Sequence, residues 1–324
     1  MGKILITGSL GQIGSELSQE IGLRYGFDQI IATDIRNPRA DDIALNCDNY
    51  FLDVTDFKQL HEFFKEHKIS TIYHLAAILS ATAEENPQVA WKVNISGLYN
   101  VLEIARENNC RLFLPSSIGA FGPTTPKKNT PQDTVQRPIT IYGVTKVSGE
   151  LLCDYYYKRF GIDTRGLRYP GIISYKTLPG GGTTDYAVEI YYAAVQKKHY
   201  TCYIKAGTYL DMIYMPDAIR AAVDLMEAEP SKLIHRNSYN ITAMSVEPET
   251  IAASIRKIIP EFTIDYEIDP IRQQIADSWP DSIDDSMARQ EWGWQPHYDL
   301  DRMTADMIEN LRQKINSATE RSED

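Results

Sequence analysis

The chain opens with an apolar run, Lys3-Ile4-Leu5-Ile6-Thr7, which leads directly into Gly8-Ser9-Leu10-Gly11-Gln12-Ile13-Gly14 and then into a segment with Leu17 and Ile21 at helical spacing. Strand, glycine loop and helix in immediate succession constrain the fold more than any other feature. The glycines let the backbone turn tightly and leave space for a phosphate beside the main chain. The helix that follows begins with unpaired N–H groups and partial positive charge, so it can hold an anion without a basic side chain. A tight turn without a ligand needs similar residues, but in this context Gly8, Gly11, Gln12, Ile13 and Gly14 are expected to cradle a dinucleotide pyrophosphate.

The same rhythm continues downstream. Residues 29–33, 71–76 and 112–116 read as further strands, and residues 57–64 as a helix. Trp91, Ile95, Leu98, Leu102 and Ala105 recur at steps of four and three, which gives that helix one apolar face. Alternating strands and helices of this length require right-handed crossovers and a parallel sheet covered on both faces. The expected fold is α/β, a doubly wound parallel sheet with a smaller, discontinuous α/β substrate-binding domain. Residues 1–170 would form the dinucleotide-binding part, to which residues of about 208–243 return. Residues 171–315 would form the substrate domain, and 316–324 a flexible polar tail.

Composition excludes several classes of partner. Of 324 residues, 44 are acidic and 33 basic, giving a formal charge of -11 and a pI near 5.1, so the surface repels nucleic acid. Cys47, Cys110, Cys153 and Cys202 are scattered, with neither disulfide nor zinc spacing, which fits a reducing, cytoplasmic compartment. His61-Glu62 begins like a zinc-protease helix, but position 65 is Lys65, so no metal is expected. No stretch reaches the roughly 20 apolar residues of a membrane helix. A strand starting at Lys3 leaves no room for a leader peptide in the sequence as given.

Asp34 follows the second strand about 20 residues after the glycine loop, where a carboxylate can accept hydrogen bonds from a ribose diol. It would repel a 2'-phosphate and so favours NAD over NADP. Neighbouring Arg36 either softens that preference or stacks on adenine. Asp53-Val54 follows another short run and is a candidate for the adenine edge. Tyr142 and Lys146 are four residues apart at the start of a helical segment and project from one face. A free phenol has a pKa of about 10, and a fixed cation nearby favours its phenolate. Lys146 is placed to supply that cation and to hold ribose hydroxyls. Tyr142 would then take the proton of a substrate alcohol as its carbon gives up hydride, with Ser117 holding the same oxygen. His74, within an apolar strand, reads as a hydrogen-bonded core residue.

The order of glycine loop, acidic residue, Asn94, Ser117 and Tyr142-to-Lys146 resembles the extended short-chain dehydrogenase/reductases, which have a Rossmann fold and include sugar-nucleotide epimerases and dehydratases. The resemblance implies that Asn94 helps order a proton path near the lysine, and that Leu75, Ala76, Ala77, Tyr169 and Pro170 lie beside NAD. Taken by itself, Asn94 is equally a polar residue on a helix.

Longer strings are similar to the short-chain type of L-threonine 3-dehydrogenases. They are Pro115-Ser116-Ser117-Ile118-Gly119-Ala120-Phe121-Gly122, Leu167-Arg168-Tyr169-Pro170-Gly171-Ile172-Ile173-Ser174, Pro179-Gly180-Gly181-Gly182-Thr183-Thr184-Asp185-Tyr186-Ala187, Ser278-Trp279-Pro280, and Asp284-Asp285-Ser286 through Trp292-Gly293-Trp294. That family often has threonine where this chain has Ser117, and the hydroxyl is retained. The resemblance implies oxidation of L-threonine at the β-carbon to 2-amino-3-oxobutanoate, with NADH formed, and a homodimer built on two helices per subunit. A zwitterionic substrate needs donors for its carboxylate. The 180–184 loop offers backbone N–H groups and hydroxyls, so Gly182 and Thr183 are expected at the carboxylate, with Ser80, Ser117, Tyr142 and Trp279 completing the pocket. The competing readings are a sugar-nucleotide epimerase or dehydratase, and a non-catalytic NAD-sensing protein.

Overall fold

The computed structural model describes residues 2–38, 46–177 and 182–323, with side chains up to residue 316. The first half alternates as the pattern predicts. It runs β1 (Lys3–Thr7), α1 (Gln12–Tyr25), β2 (Ile30–Asp34), β3 (Asp48–Phe51), α2 (Phe57–Glu66), β4 (Ile69–His74), α3 (Ser80–Glu85), α4 (Pro87–Trp91), α5 (Leu98–Asn108), β5 (Arg111–Ser117), α6 (Ile141–Phe160) and β6 (Thr164–Tyr169). The second half adds β7 (Gly171–Ile173), α7 (Tyr186–Lys197), β8 (His199–Cys202), β9 (Leu210–Tyr214), α8 (Met215–Glu227), β10 (Tyr239–Asn240), β11 (Met244–Val246), α9 (Pro248–Arg256), β12 (Thr263–Tyr266), α10 (Pro270–Ser278), α11 (Ser286–Trp292) and α12 (Leu300–Glu323).

Seven strands form one sheet in the order β10-β6-β5-β4-β1-β2-β3, and each neighbouring pair is parallel. Successive residues of a strand point to opposite faces, and the packing follows that rule. Ile6 and Ile30 join a core with Leu17 and Ile21 of α1 and with α8. Leu5 and Ile31 join a core on the other face with Leu60, Leu102 and Cys153 from α2, α5 and α6. Both faces are therefore buried, as a parallel sheet requires. The chain winds outward from β1 to β3, then returns to build β4, β5 and β6 on the other side of β1. Where that direction reverses, the loops after β1 and β4 part and open a crevice at the C-terminal strand ends.

Three local features differ from the sequence pattern. The apolar helix expected over residues 91–105 contains a π-helical stretch, Lys92–Gly97, between α4 and α5. Such a stretch inserts an extra residue into the helix and re-aims the side chains around it; Asn94 lies within it. The strand expected over 71–76 ends at His74, which frees Leu75, Ala76 and Ala77 to line the crevice mouth. Edge strand β3, the short run before Asp53-Val54, is mostly exposed.

A third core unites α7, α9 and α12 with β9 and the segment around Trp279. It carries a three-stranded sheet, β11-β9-β7, and the pair β12-β8. Within residues 208–243, α8 and β10 lie on the large sheet, whereas β9 pairs with β7 and β11 in the small one. The polar end expected as a tail is helical through Glu323.

Candidate active site

α1 begins after Gly11 with no side-chain cap and no acidic residue in its first turn, so its positive end is left for a ligand. Gly8 has φ of +68°, and a Cβ built on it would lie 2.8 Å from the backbone nitrogen of Ala76, so loop and β4 exit are in direct backbone contact. A Cβ on Gly14 would lie 2.3 Å from the Gly8 carbonyl oxygen, which shows how tightly the helix is pressed onto the loop.

Asp34 closes the loop from the end of β2. Leu10 N–H donates to one carboxylate oxygen and Arg36 N–H to the other, each at 3.1 Å. The Arg36 guanidinium donates to the Leu10 carbonyl. A carboxylate offers about four acceptor sites, so Asp34 retains capacity for a diol. Asp53 is engaged locally, accepting from Thr55 N–H at 2.8 Å while its own N–H donates to Gln59 at 2.9 Å. Val54 is buried against Gly97.

An open cleft of about 1100 Å³ runs from the glycine loop to the substrate domain. It brings together Gly8, Gly11, Gln12, Ile13 and Gly14 with Leu75, Ala77, Tyr169 and Pro170, then Ser117, Tyr142 and Lys146, and finally Ser80, Gly182, Thr183 and Trp279. Asp34, Arg36, Asp53 and Val54 are not among its walls; they lie at the ends of β2 and β3. Ala76 and Asn94 border a small adjoining pocket together with Ala77 and Lys146. Gly180 and Gly181 lie outside the described residues.

Ser117 ends β5, and its Oγ accepts from Gly119 N–H at 3.1 Å. α6 starts at a proper cap, Thr140 Oγ1 accepting from Gly143 N–H at 3.1 Å, which fixes the turn carrying Tyr142. A Cβ placed on Gly119 would be 3.1 Å from the Tyr142 ring and 3.5 Å from Ser117 Oγ, so both groups border one glycine. Lys146 Nζ donates to the Pro115 carbonyl at 2.8 Å and lies 5.3 Å from the Tyr142 ring centre. Asn94 uses its amide within the protein. It accepts from Ile78 N–H at 2.8 Å and donates to the Ile78 carbonyl and Thr145 Oγ1, both at 3.1 Å, tying the loop after β4 to α6.

His74 is buried, 2.9 Å from Thr7 Oγ1 through Nδ1. Burial first, and then the charge of Lys146, push its pKa down to about 3, so near neutral pH the imidazole is uncharged, with a single ring N–H. Tyr169 donates its hydroxyl to the Ala218 carbonyl at 2.8 Å and packs its side chain in the core with α8, at the edge of the cleft.

At the far end, Thr183 is 1% exposed and its hydroxyl has no hydrogen-bond partner among the described residues. Gln12 Nε2, at the cofactor end, is likewise buried and unpaired. Orphaned polar atoms are costly unless a ligand or water completes them, and both residues line the one cleft. Trp279 forms the outer wall. Its segment is pinned at Ile283, whose N–H donates to buried Asp211 at 2.5 Å. Burial pushes the Asp211 carboxyl up to about 7, against the hydrogen bond from Ile283.

Sequence reasoning missed Glu150 and Arg168, which lie behind Ser116 and Ser117. The available signal was that Tyr142, Lys146 and Glu150 recur every four residues on one helix face. Among the described residues, no three His, Cys, Asp or Glu side chains gather in a metal-binding group, and no helix is long and apolar enough to cross a membrane.

Comparison with known proteins places the chain in a family. An uncharacterised epimerase/dehydratase of Staphylococcus aureus is 56% identical, with 97% of this chain and 98% of the relative aligned. Among solved structures, L-threonine dehydrogenase from Clostridium difficile is 57% identical with a TM-score of 0.95, covering 97% of this chain and 98% of that one. The holo form of a GalE-like L-threonine dehydrogenase from Cupriavidus necator is 52% identical with a TM-score of 0.92, covering 95% and 99%. A monomeric L-threonine 3-dehydrogenase from a metagenome is 48% identical with a TM-score of 0.91, covering 96% and 99%. The model of the NAD dependent epimerase/dehydratase family matches residues 4–242, and with relatives this similar across nearly the full length, the chain belongs to that family.

Proposed function

We propose that this chain oxidises L-threonine at its β-carbon to 2-amino-3-oxobutanoate, with NAD as the oxidant. The observation that carries the reading is the hydroxyl of buried Thr183, without a partner among the described residues, in the same cleft as Ser117, Tyr142 and the glycine loop. Solved relatives named as L-threonine dehydrogenases support the substrate class.

When bound, NAD accepts the hydride from the substrate β-carbon. The glycine loop and the start of α1 hold its diphosphate, and Asp34 takes the adenosine ribose diol and disfavours a 2'-phosphate. Ser117 and Tyr142 hold the substrate hydroxyl, and Tyr142 removes its proton as the carbon becomes a ketone. Lys146 keeps positive charge beside the phenol. Thr183 and the Gly182 region orient the carboxylate, while Ser80 and Trp279 close the remaining sides and limit water.

The deciding assay mixes purified protein and NAD with L-threonine, other β-hydroxy amino acids and UDP-sugars, and follows absorbance of the reduced nicotinamide. L-threonine should give the highest kcat/KM. Chromatography of the same mixtures that shows conversion of a UDP-sugar without net NADH, and none of threonine, would overturn the reading in favour of an epimerase.

Thr183→Ala tests the substrate end separately. A hydrogen bond to a charged group contributes about 1.5–3 kcal/mol, so the KM for threonine should rise on the order of 10- to 100-fold while the KM for NAD barely moves. An unchanged threonine KM would remove Thr183 from the carboxylate site.

We also infer a cytoplasmic homodimer. Trp91 and Tyr99, beside Leu151 and Tyr155 on α6, are between 46% and 61% exposed, an apolar surface suited to a second copy. Light scattering should give twice the chain mass of 36.8 kDa; a single-chain mass at micromolar concentration would contradict the dimer.

A further inference from the structure

Tyr142, Lys146 and Glu150 occupy successive turns on one face of α6, and each meets the end of β5. Lys146 donates to the Pro115 carbonyl, Ser116 Oγ donates to Glu150, and Tyr142 and Ser117 flank Gly119. Two consecutive strand residues, Pro115 and Ser116, are thus held by the helix that carries the proposed base, and the next, Ser117, lies on the other side of Gly119 from Tyr142.

Arg168 adds the neighbouring strand. It stands in register with Ser116 and donates to the two Glu150 oxygens from Nε at 3.1 Å and Nη2 at 2.9 Å. Gln136 donates to Glu150 Oε2 at 2.8 Å. With Ser116, these bonds fill the roughly four acceptor sites of a carboxylate. The remaining Arg168 donors reach the Gln132 carbonyl at 2.7 Å and Asn240 Oδ1 at 3.2 Å. Glu150 is 5% and Arg168 7% exposed. Both border a polar cavity separate from the cleft, so neither is placed to touch substrate.

A buried ion pair is a poor device for stability alone, because apolar side chains of similar volume often serve as well. What it provides here is direction: a saturated carboxylate on α6 can sit in one orientation relative to β5 and β6. We propose that Glu150 and Arg168 are positioning residues that fix Ser117 against Tyr142. The inference rests on the reading that those two hydroxyls jointly hold the reacting oxygen.

The test compares Glu150→Ala and Glu150→Gln with the parent in four measurements: kcat and KM for threonine, NAD affinity by calorimetry, the isotope effect on kcat with threonine deuterated at the β-carbon, and amide exchange in the protein without NAD. Misplacing reacting groups by about 1 Å can cost roughly 100-fold in rate. Glu150→Ala should therefore lose kcat on that order, with a larger isotope effect and near-parental NAD affinity. Peptides covering residues 115–121 should exchange faster while those of β1 and β2 stay unchanged. Glu150→Gln keeps an acceptor for Ser116 and should fall between. If the alanine variant does not fold, the glutamine variant carries the test through its isotope effect and exchange pattern. A folded variant with parental kcat, isotope effect and exchange would overturn the proposal, as would one whose NAD affinity falls in step with kcat. A parent inactive on threonine sinks the functional reading instead, and exchange at residues 115–121 then still judges the positioning.

Discussion

Tyr142→Phe should lose about three orders of magnitude in kcat with threonine while binding NAD almost as the parent does. Positioned proton transfer typically contributes about 10²- to 10⁴-fold, and this substitution removes only the phenolic oxygen. The ring remains buried among Ala83 and Ala90 and beside Gly119, so the fold has little reason to change. The glycine loop is untouched, so calorimetric affinity for NAD should hold. Because the interaction is made with the reacting hydroxyl, kcat and kcat/KM should fall together. Ser117→Ala should cost less, since it removes an orienting contact and leaves the base in place. A Tyr142→Phe enzyme running faster than about a tenth of the parent rate would exclude Tyr142 as the base.

Which parts of this site were legible in the sequence follows from how local their geometry is. The phosphate cradle is written in twelve consecutive residues, because strand end, turn and helix start are continuous in the chain. Tyr142 and Lys146 are readable for a similar reason: one turn of one helix sets their relation. Asp34 needs only the length of one strand–helix–strand unit. Glu150 and Arg168 needed more, since their meaning depends on the register of β5 with β6 and on how α6 lies across both. Asn94 was found, but a π-helical stretch and the path of the chain after β4 decide that its amide braces Ile78 and Thr145. Trp279 came from resemblance, and Thr183 from the donors a zwitterion's carboxylate needs; that its hydroxyl is buried without a partner among the described residues is a fact of packing that no spacing reveals.

Two of the glycines that look equivalent as a motif, Gly11 and Gly14, should separate sharply on substitution. A methyl group on Gly14 would meet backbone atoms at 2.3 Å and 2.8 Å, and neither can rotate away. Relief requires α1 to lift from the loop, an overpacking cost of about 1–3 kcal/mol that should lower Tm by several degrees and ruin the phosphate site. At Gly11 the nearest atom is the Gly8 carbonyl oxygen at 3.2 Å, a contact that a small shift absorbs. Gly11→Ala should therefore leave Tm without NAD near the parent value, because the fold does not need that position empty. It should nonetheless weaken NAD, because in the proposed mechanism the diphosphate would meet the main chain in the space it fills. Ligand-induced stabilisation separates the two effects, since NAD at 100 times its Kd adds about 2.7 kcal/mol to the parent. Thermal melts with and without NAD should show a normal baseline and a shrunken NAD shift for Gly11→Ala, and losses in both for Gly14→Ala. A full NAD shift in Gly11→Ala would mean that the diphosphate does not pass over this loop, and the cofactor half of the proposed mechanism would have to be abandoned.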